Sequence, residues 1–394
     1  MRLESTPELT AFRDEVRAFV ARHAPGKKTR AGVRAPDADL LPAIREWTAK
    51  LFDAGFLGID WPEEYGGRPD ADPREAFVVA EEIARARTWP PIGAAALAAA
   101  ALIEFGRAEQ RARLLPRIRS CADVWCQLFS EPNAGSDLAA LRTRARREGE
   151  EFVVDGQKVW TTNGQHADMG LLLARTDPDA RKHRGITAFA VDMRSPGVDV
   201  RPLREITGTT DFNEVFLDGV RVPAADVIGE VDDGWRVAMS SLGRERSGVA
   251  ARGVELFAML DDLLGLAEGA SAGGGAALED SATRQEIGEL ATRVHVNAAM
   301  VGMAQSRMAH GTDRPGDGPF GKIFFSELNH DLAAFGVRLQ GADGLLTEED
   351  HAAVADGWWQ DADLYSRAFT IAGGANEVLR TQIAERELGL PRGS

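Results

Sequence analysis

The sequence lacks any apolar run of about 18 residues, the length that a membrane-spanning helix needs, so no membrane span is expected. Its opening residues, MRLESTPE, contain no basic segment followed by an apolar one, and no secretory signal is therefore expected. It has only two cysteines, Cys121 and Cys126. These are expected to be buried thiols in a reducing compartment, too few to form a metal site. We therefore expect a cytoplasmic protein without a bound metal.

Basic residues are fewer than acidic ones: the sequence has 46 Lys and Arg residues and 61 Asp and Glu residues, which gives a net charge of −15. A chain with this balance is not expected to bind nucleic acid or an anionic membrane. An anionic cofactor remains compatible, since a few arginines and helix N-termini can bind phosphates on an acidic protein. No Gly-x-Gly-x-x-Gly fingerprint follows a predicted strand, so a Rossmann nicotinamide site is not expected.

The hydrophobic periodicity changes twice along the 394 residues, which are enough for two or three domains. The first third has helical spacing, with a helix start at Thr6-Pro7-Glu8. From about residue 121 short apolar runs alternate with turns, and the pattern predicts a compact β domain in which Asp155-Gly156 joins a hairpin. From about residue 232 the pattern is helical again, with breaks at 269–277 and 311–319.

Two polar segments of the β region stand out. In the first, QLFSEPNAGSD (127–137), Pro132 must end a strand, Gly135 lets a backbone approach a bulky ligand, and Ser130 and Ser136 offer hydroxyls. The second is DGQKVWTTNG (155–164). Taken singly, each is compatible with an ordinary strand exit or a core tryptophan. The two together, in this order and at this separation, resemble the Ser/Thr-Glu-Pro-x-Ala-Gly-Ser-Asp and Gly-x-Lys-x-Trp-x-Thr/Ser segments of the acyl-CoA dehydrogenase family of flavoproteins.

This resemblance implies an α+β fold with an N-terminal all-α domain (1–120), a middle β-barrel domain (121–231) and a C-terminal four-helix bundle (232–394). It implies a flavin-dependent oxidoreductase of lipid metabolism that removes two hydrogens across the Cα–Cβ bond of an acyl thioester. The cofactor would be FAD, and the positions that match the family's cofactor-binding residues are Gln127, Phe129, Ser130, Gly135, Ser136, Trp160, Thr161, Thr162, Arg338, Gly341, Asn376 and Glu377.

The family carries its catalytic base at one of two places. The position near the C-terminus falls here on Gly373, which cannot accept a proton. The other is the Glu of a Glu-Arg pair on the first long C-terminal helix, and it falls here on Glu245. Glu245 also lies on a predicted apolar stripe that comprises Trp235, Ala238, Met239, Leu242, Val249, Leu256 and Leu260. A buried ion pair of Glu245 with Arg244, Arg246 or Arg252 is the structural alternative, and we favour the base.

Several positions match those that meet the substrate in the family. Gly373 keeps a backbone N–H, which the family uses in its oxyanion hole, and its missing side chain leaves room for a branched, long-chain or polycyclic acyl group. Ser136 and Gly374 match positions near the thioester, and Arg246 matches one near the adenosine end of CoA, with a surface ion pair to Glu255 as its alternative role.

Some segments depart from the family pattern. A glycine-rich interval, 269–277, stands where many members carry an Arg-x-Thr/Gln-Phe-Gly segment for a neighbour's FAD, and 337–344 matches the adenine-side loop only in part. We expect a homodimer or homotetramer that passes electrons to electron-transfer flavoprotein or a similar acceptor, with a heterotetramer containing a paralogue as the alternative. Three other functions remain compatible: a non-catalytic partner subunit, an enzyme acting on an acyl-carrier protein thioester, and a flavin oxidase or monooxygenase.

Overall fold

The computed structural model describes residues 6–250, 252–272, 275–348 and 350–391, and for 243–250, 271, 272 and 275 it describes the backbone alone. The helices are α1 Pro7–His23, α2 Leu41–Asp53, α3 Glu75–Arg85, α4 Ala95–Phe105, α5 Ala108–Arg119, α6 Gly234–Ala250, α7 Gly253–Gly269, α8 Ser281–Ala309, α9 Asp317–Leu339, α10 Trp358–Ile371 and α11 Asn376–Arg386. The strands are β1 Trp125–Leu128, β2 Arg144–Glu148, β3 Glu151–Thr162, β4 Met169–Arg175, β5 Ile186–Asp192, β6 Val198–Leu203, β7 Phe212–Pro223, β8 Val227–Ile228, β9 Ser271–Ala272 and β10 Gly275–Ala276. The predicted order of a helical, a β and a second helical part is confirmed.

The chain divides into two compact units. One, the helical unit, comprises the residues up to Gly32, Asp72–Trp89 and the residues from Arg246 onward. The other, the sheet unit, comprises Val33–Ala71 and Pro90–Glu245. The predicted three-domain ranges (1–120, 121–231 and 232–394) remain a prediction. Among the described helices none is both long and apolar enough to cross a bilayer.

An eight-stranded sheet forms the centre of the sheet unit. Its order is β6-β7-β3-β2-β4-β5-β8, and β1 pairs in parallel with β4. Strand β4 is buried on both faces, because Leu171 and Leu173 pack toward α4 and α5 while Leu172 and Ala174 pack into a second core with β3, β5 and β7. The unbroken apolar run of β4 therefore reflects a strand covered on both sides.

The predicted hairpin at Asp155-Gly156 is wrong, because β3 runs without a turn from Glu151 to Thr162. The two residues lie instead at an irregularity in the pairing of β3 with β7. The Asp155 carboxylate accepts a hydrogen bond from the Gly219 N–H at 2.8 Å. A Cβ on Gly156 would lie 2.4 Å from the Thr143 hydroxyl oxygen. The Asp-Gly pair therefore lies at a bulge, where the backbone of β3 packs closely against Thr143, and not in a turn.

In the helical unit, α7, α8 and α9 pack against one another, α10 packs against α9, and α1 packs on α3. The predicted helix start is confirmed, since the Thr6 hydroxyl accepts the Leu9 N–H at 3.2 Å ahead of Pro7. The first predicted break, 269–277, begins at the last residue of α7 and ends before α8, whereas the second, 311–319, overlaps the start of α9 at 317–319. In the first, β9 and β10 form a short antiparallel ladder on either side of residues 273 and 274, which lie outside the described part.

The predicted apolar stripe is not one helix. Helix α6 ends at Ala250 and α7 begins at Gly253, after Arg252 has left the helical conformation with ψ near 2°. Leu256 and Leu260 therefore belong to a separate helix, and Met239 is exposed. The buried face of the first turns of α6 is made by Val237, Ala238 and Ser241. Position 245 follows Ser241 by four residues, so its backbone lies on the same face of the helix.

Candidate functional site

The structure brings the two polar segments of the sheet unit into contact. The first segment leaves β1 at Leu128, and the second is the end of β3. The Val159 N–H donates to the Ser130 carbonyl at 2.9 Å, and reciprocal backbone hydrogen bonds between Glu131 and Ala134 close the loop at Pro132. Residues that are about thirty positions apart in the sequence thus form one surface of the sheet.

A buried ion pair joins the same two segments. The Lys158 ammonium, which is fully buried, donates to the Glu131 carboxylate at 2.9 Å and to the Phe129 carbonyl at 3.0 Å. The Glu131 carboxylate also accepts the backbone N–H groups of Arg142 at 2.6 Å and Thr143 at 2.9 Å. Burial alone would raise the pKa of Glu131, but the ammonium and these donors hold that pKa below its ordinary value. Glu131 and Lys158, one charged residue from each motif, therefore pair with each other inside the protein.

Several other residues of the first motif are accessible to an external ligand. Gln127 and Ser130 are half-buried, Phe129 is buried, and Ser136 is exposed. Gly135 is exposed too, and no heavy atom of the described chain lies within 4 Å of the place where its Cβ would be. Packing within the described residues thus does not explain a glycine at this point, whereas the close approach of a bulky ligand would.

Trp160 is the most unusual residue of the second motif. It lies at the irregularity between Lys158 and Thr161 in the pairing of β3 with β7, has a φ of +60°, and is 60% exposed. Its ring packs edge-on against Phe212 at a centroid distance of 5.9 Å. A bulky residue in the left-handed region is strained, and strain of this kind clusters at functional sites.

Unpartnered polar atoms lie close to Trp160 in the sequence. The Thr161 hydroxyl and the side-chain oxygen of Asn163 are buried without a hydrogen-bond partner among the described residues, and Thr162 is half-buried. A flavin presents a planar ring and several hydrogen-bonding edges. An exposed aromatic face, hydroxyl groups and an open glycine loop suit such a molecule. The sheet-unit residues therefore fit the cofactor that the sequence resemblance implies.

In the helical unit, four of the predicted site residues lie around one turn between α10 and α11. Gly373 and Gly374 have φ of +66° and +101°, a conformation that favours glycine. Asn376 begins α11 and is buried, and its carboxamide bonds to Lys322, Ser326 and Glu327 of α9. Glu377 is exposed in the first turn of α11.

The other predicted residues of the helical unit lie at the end of α9. The Arg338 guanidinium forms an ion pair with Glu286 of α8 and lies over the Phe335 ring, 5.2 Å from its centroid. Gly341 has a φ of +59° and opens a short 3-10 turn, Gly341–Leu345. Arg338 is therefore engaged within its own unit.

The side chains of Glu245 and Arg246 lie outside the described part of the chain, although their backbone belongs to α6. Of the arginines that could pair with Glu245, Arg252 already binds Glu255 through two hydrogen bonds, at 2.9 and 3.0 Å. The same ion pair engages Glu255, which is the alternative partner of Arg246.

Sequence reasoning missed three residues that shape these surfaces: Glu131, Lys158 and Lys322. Lys158 and Lys322 are fully buried, and Glu131 nearly so. The strand of Lys158 also carries Glu151, Asp155 and Gln157, so its charge did not stand out, and the one signal was its place in the Gly-x-Lys-x-Trp segment.

The chain is similar to known proteins both in sequence and in structure. Sequence models of the acyl-CoA dehydrogenase N-terminal, middle and C-terminal domains match residues 6–121, 126–220 and 232–388. Acyl-CoA dehydrogenase IpdE1 of Mycobacterium tuberculosis is 36% identical over 98% of each chain. The solved Tcur3481-Tcur3483 steroid ACAD is 30% identical over the whole of both chains, with a TM-score of 0.88. The ChsE4-ChsE5 complex from Mycobacterium tuberculosis contains a chain that is 28% identical over the whole length, with a TM-score of 0.85.

Proposed function

This chain belongs to the acyl-CoA dehydrogenase family of FAD-dependent oxidoreductases, and from this premise we propose that Glu245 is the base that removes the α-proton of an acyl-CoA thioester. The reaction breaks the C–H bonds at Cα and Cβ and forms a 2-enoyl thioester. One hydrogen leaves as a proton to the Glu245 carboxylate and the other as a hydride. FAD, when bound, supplies the hydride acceptor.

The observation that carries the proposal is the glycine at 373. Its backbone conformation, with a φ of +66°, suits glycine, and a glycine has no group to accept a proton. The base must then come from elsewhere, and position 245 lies on the helix face that carries the buried residues Ala238 and Ser241. A carboxylate in apolar surroundings has a raised pKa, which suits it to take a proton from carbon.

The residues of the sheet unit would hold the cofactor. Trp160 would pack against the flavin ring, Thr161 and Thr162 would offer hydroxyls to it, and Ser130 would hydrogen-bond its edge. Ser136 and Gly135 would lie near the pyrophosphate and the thioester arm, with Gln127 and Phe129 lining the strand beside the ring. The strained and exposed Trp160 supports this assignment, because the folded chain itself makes little use of its indole.

The turn at Gly373 would bind the thioester carbonyl. The N–H of Gly373 would donate to the oxygen on which negative charge develops as the α-proton leaves. Gly374, Ser136 and Arg246 would complete the thioester and CoA contacts, and Arg338, Gly341, Asn376 and Glu377 would lie near the adenine side of FAD. We propose a branched, long-chain or polycyclic acyl group, since the missing side chain at 373 leaves room beside Cα and one similar solved structure is a steroid enzyme.

The test is anaerobic mixing of the purified flavoprotein with a panel of acyl-CoA esters, for wild type and for Glu245→Gln. Flavin absorbance in the wild type should bleach with at least one ester. The variant should keep its FAD but reduce it about 100- to 10,000-fold more slowly, the range typical of a lost general base. Glu255→Gln, a carboxylate already paired with Arg252, is the matched control and should reduce flavin at the wild-type rate.

The same experiment separates the alternatives. Near-normal reduction in Glu245→Gln would end its assignment as base. Bleaching by an acyl-carrier protein thioester, with none by the CoA ester, would favour a biosynthetic enzyme. Rapid reaction of the reduced flavin with O₂ would favour an oxidase or monooxygenase, whereas a dehydrogenase should need electron-transfer flavoprotein or a similar acceptor.

A heteromer with a paralogous chain is a second proposal. The segment that reaches a neighbour's FAD in many family members is replaced here by 269–277, and Arg338 is engaged by Glu286. Two similar solved structures are named as pairs of chains. Purification alone and together with a co-expressed paralogue, with FAD counted per chain, tests this. Full FAD occupancy in a homodimer or homotetramer would contradict it.

A further inference from the structure

Lys322 places an amine inside the helical unit, next to the turn that carries Gly373. The residue belongs to α9 and is fully buried. Its Nζ donates to the Thr370 carbonyl at 3.1 Å, the Gly374 carbonyl at 2.8 Å and the Asn376 side-chain oxygen at 2.8 Å. A buried lysine is costly to keep unless its donors are used, and here three oxygens of one segment use them.

These contacts clamp the turn from both sides. Thr370 lies in the last turn of α10, and Gly374 lies four residues further on, past the point where the helix has ended. A single amine therefore fixes the carbonyls on either side of Gly373. The helix end also gains from it, because a cation near a helix C-terminus satisfies a carbonyl that has no partner within the helix.

Other side chains of α9 fix the start of α11. The Asn376 carboxamide accepts from Ser326 at 3.2 Å and donates to Ser326 at 3.0 Å and to Glu327 at 3.2 Å. Asn376 therefore cannot turn away from Lys322 without losing several hydrogen bonds. The segment from Thr370 to Asn376 is bound to α9 at both of its ends, and the two glycines lie between them.

We propose that Lys322 is a positioning residue of the oxyanion hole. It fixes the backbone of the Gly373–Gly374 turn and so holds the Gly373 N–H in place to donate to the thioester carbonyl. This inference rests on the proposed function, because it assigns a role to the N–H only if an acyl thioester is the substrate. Lys322 itself does not contact the substrate in this scheme. Pre-set donors of this kind stabilise the charge that develops in the transition state without reorganising.

Lys322→Met is the primary test, since methionine has a similar length and no donor. We expect the variant holoenzyme to bind acyl-CoA within a few-fold of wild type but to reduce flavin about 10- to 100-fold more slowly, because a displaced donor weakens transition-state binding more than ground-state binding. Two measurements report on the turn itself. Amide hydrogen exchange of a peptide covering 371–376 should become faster, and the carbonyl stretch of bound 2-enoyl-CoA should move back toward its frequency in the absence of the hydrogen bond.

Arg307→Met is the matched control. It removes an ion pair with Asp317, at 2.6 Å, between the end of α8 and the start of α9, and has no contact with the turn among the described residues. It should lower thermal stability while leaving the carbonyl frequency and the exchange of 371–376 unchanged. If Lys322→Met does not fold, Lys322→Gln, with a shorter amide in place of the amine, is used in the same measurements.

The outcomes are distinguishable. Faster exchange at 371–376 together with a shifted carbonyl stretch supports the inference. A wild-type carbonyl frequency and reduction rate in folded Lys322→Met or Lys322→Gln overturns it and leaves the proposed function standing. A wild-type flavin that no acyl thioester reduces overturns the proposed function, and the role of Lys322 in an oxyanion hole falls with it.

Discussion

The Lys158 ammonium and the Glu131 carboxylate lie 2.9 Å apart inside the sheet unit, and each comes from a different one of the two motifs. The pair joins the strand that carries Trp160 to the loop that carries Ser130 and Ser136. Both charges are removed from water, so the pair is a strong link only while both members are present.

The first prediction concerns this link. Glu131→Gln or Lys158→Met should each lower the free energy of unfolding by about 3–5 kcal/mol, because each leaves one buried charge without its partner. The double variant should lose clearly less than the sum. Urea unfolding of all four proteins measures the coupling, and additive effects would contradict it.

The second prediction concerns acid. The pKa of Glu131 in the folded chain lies below its ordinary value of 4.5, since Lys158 and two backbone donors outweigh the effect of burial. The carboxylate thus contributes stability that is present above about pH 4.5 and is lost as the pH falls through the folded-state pKa. Glu131→Gln alone would leave the buried Lys158 ammonium unpaired, so the comparison uses the double variant Glu131→Gln/Lys158→Met, in which the loss of stability between pH 7 and pH 4 should be smaller than in wild type. Glu109→Gln, an exposed carboxylate on α5, should leave the loss as it is in wild type.

The third prediction separates binding from folding at Trp160. Because the side chain is 60% exposed, Trp160→Ala should change the stability of the cofactor-free chain by no more than about 0.5 kcal/mol. The same variant should bind FAD about 3- to 10-fold more weakly, the loss expected for one aromatic contact. Fluorescence titration with FAD measures this, and Trp160→Phe should recover most of the affinity. Unchanged FAD binding in Trp160→Ala would remove the residue from the site.

The fourth prediction compares two glycines of similar conformation. Gly373 and Gly311 have φ of +66° and +63°, so alanine at either position should cost about 1–2 kcal/mol of stability. Gly311 lies in the loop between α8 and α9 and has no assigned role. Slower flavin reduction in Gly373→Ala, with a normal rate in Gly311→Ala, would link the effect to the turn rather than to stability. Equal rates in the two variants would contradict the oxyanion role of Gly373.

Features encoded by neighbouring residues could be predicted from the sequence. Strand β7, Phe212–Pro223, is rich in Val and Phe and ends at a proline, so neighbouring residues are enough to locate it. The start of α1 follows from Thr6 and Pro7 alone. The Asp155-Gly156 hairpin was wrong because the same dipeptide also serves a bulge, and only the strand opposite decides between the two.

Features that depend on distant residues could not be predicted in this way. The link between Glu131 and Lys158 joins positions 27 residues apart, and the clamp of Lys322 reaches 54 residues along the chain to Asn376. Neither spacing follows from a helix or strand period. The motifs identified the candidate residues in the sheet unit and at the turn of the helical unit, whereas the side chains that hold each of them in shape required the fold.

The exposed indole of Trp160 also matters before the protein ever meets a substrate. On the proposed assignment, a chain without its flavin leaves this ring exposed on the sheet, whereas the holoprotein covers it. We therefore expect the flavin-free chain to expose more apolar surface at this point than the holoprotein does.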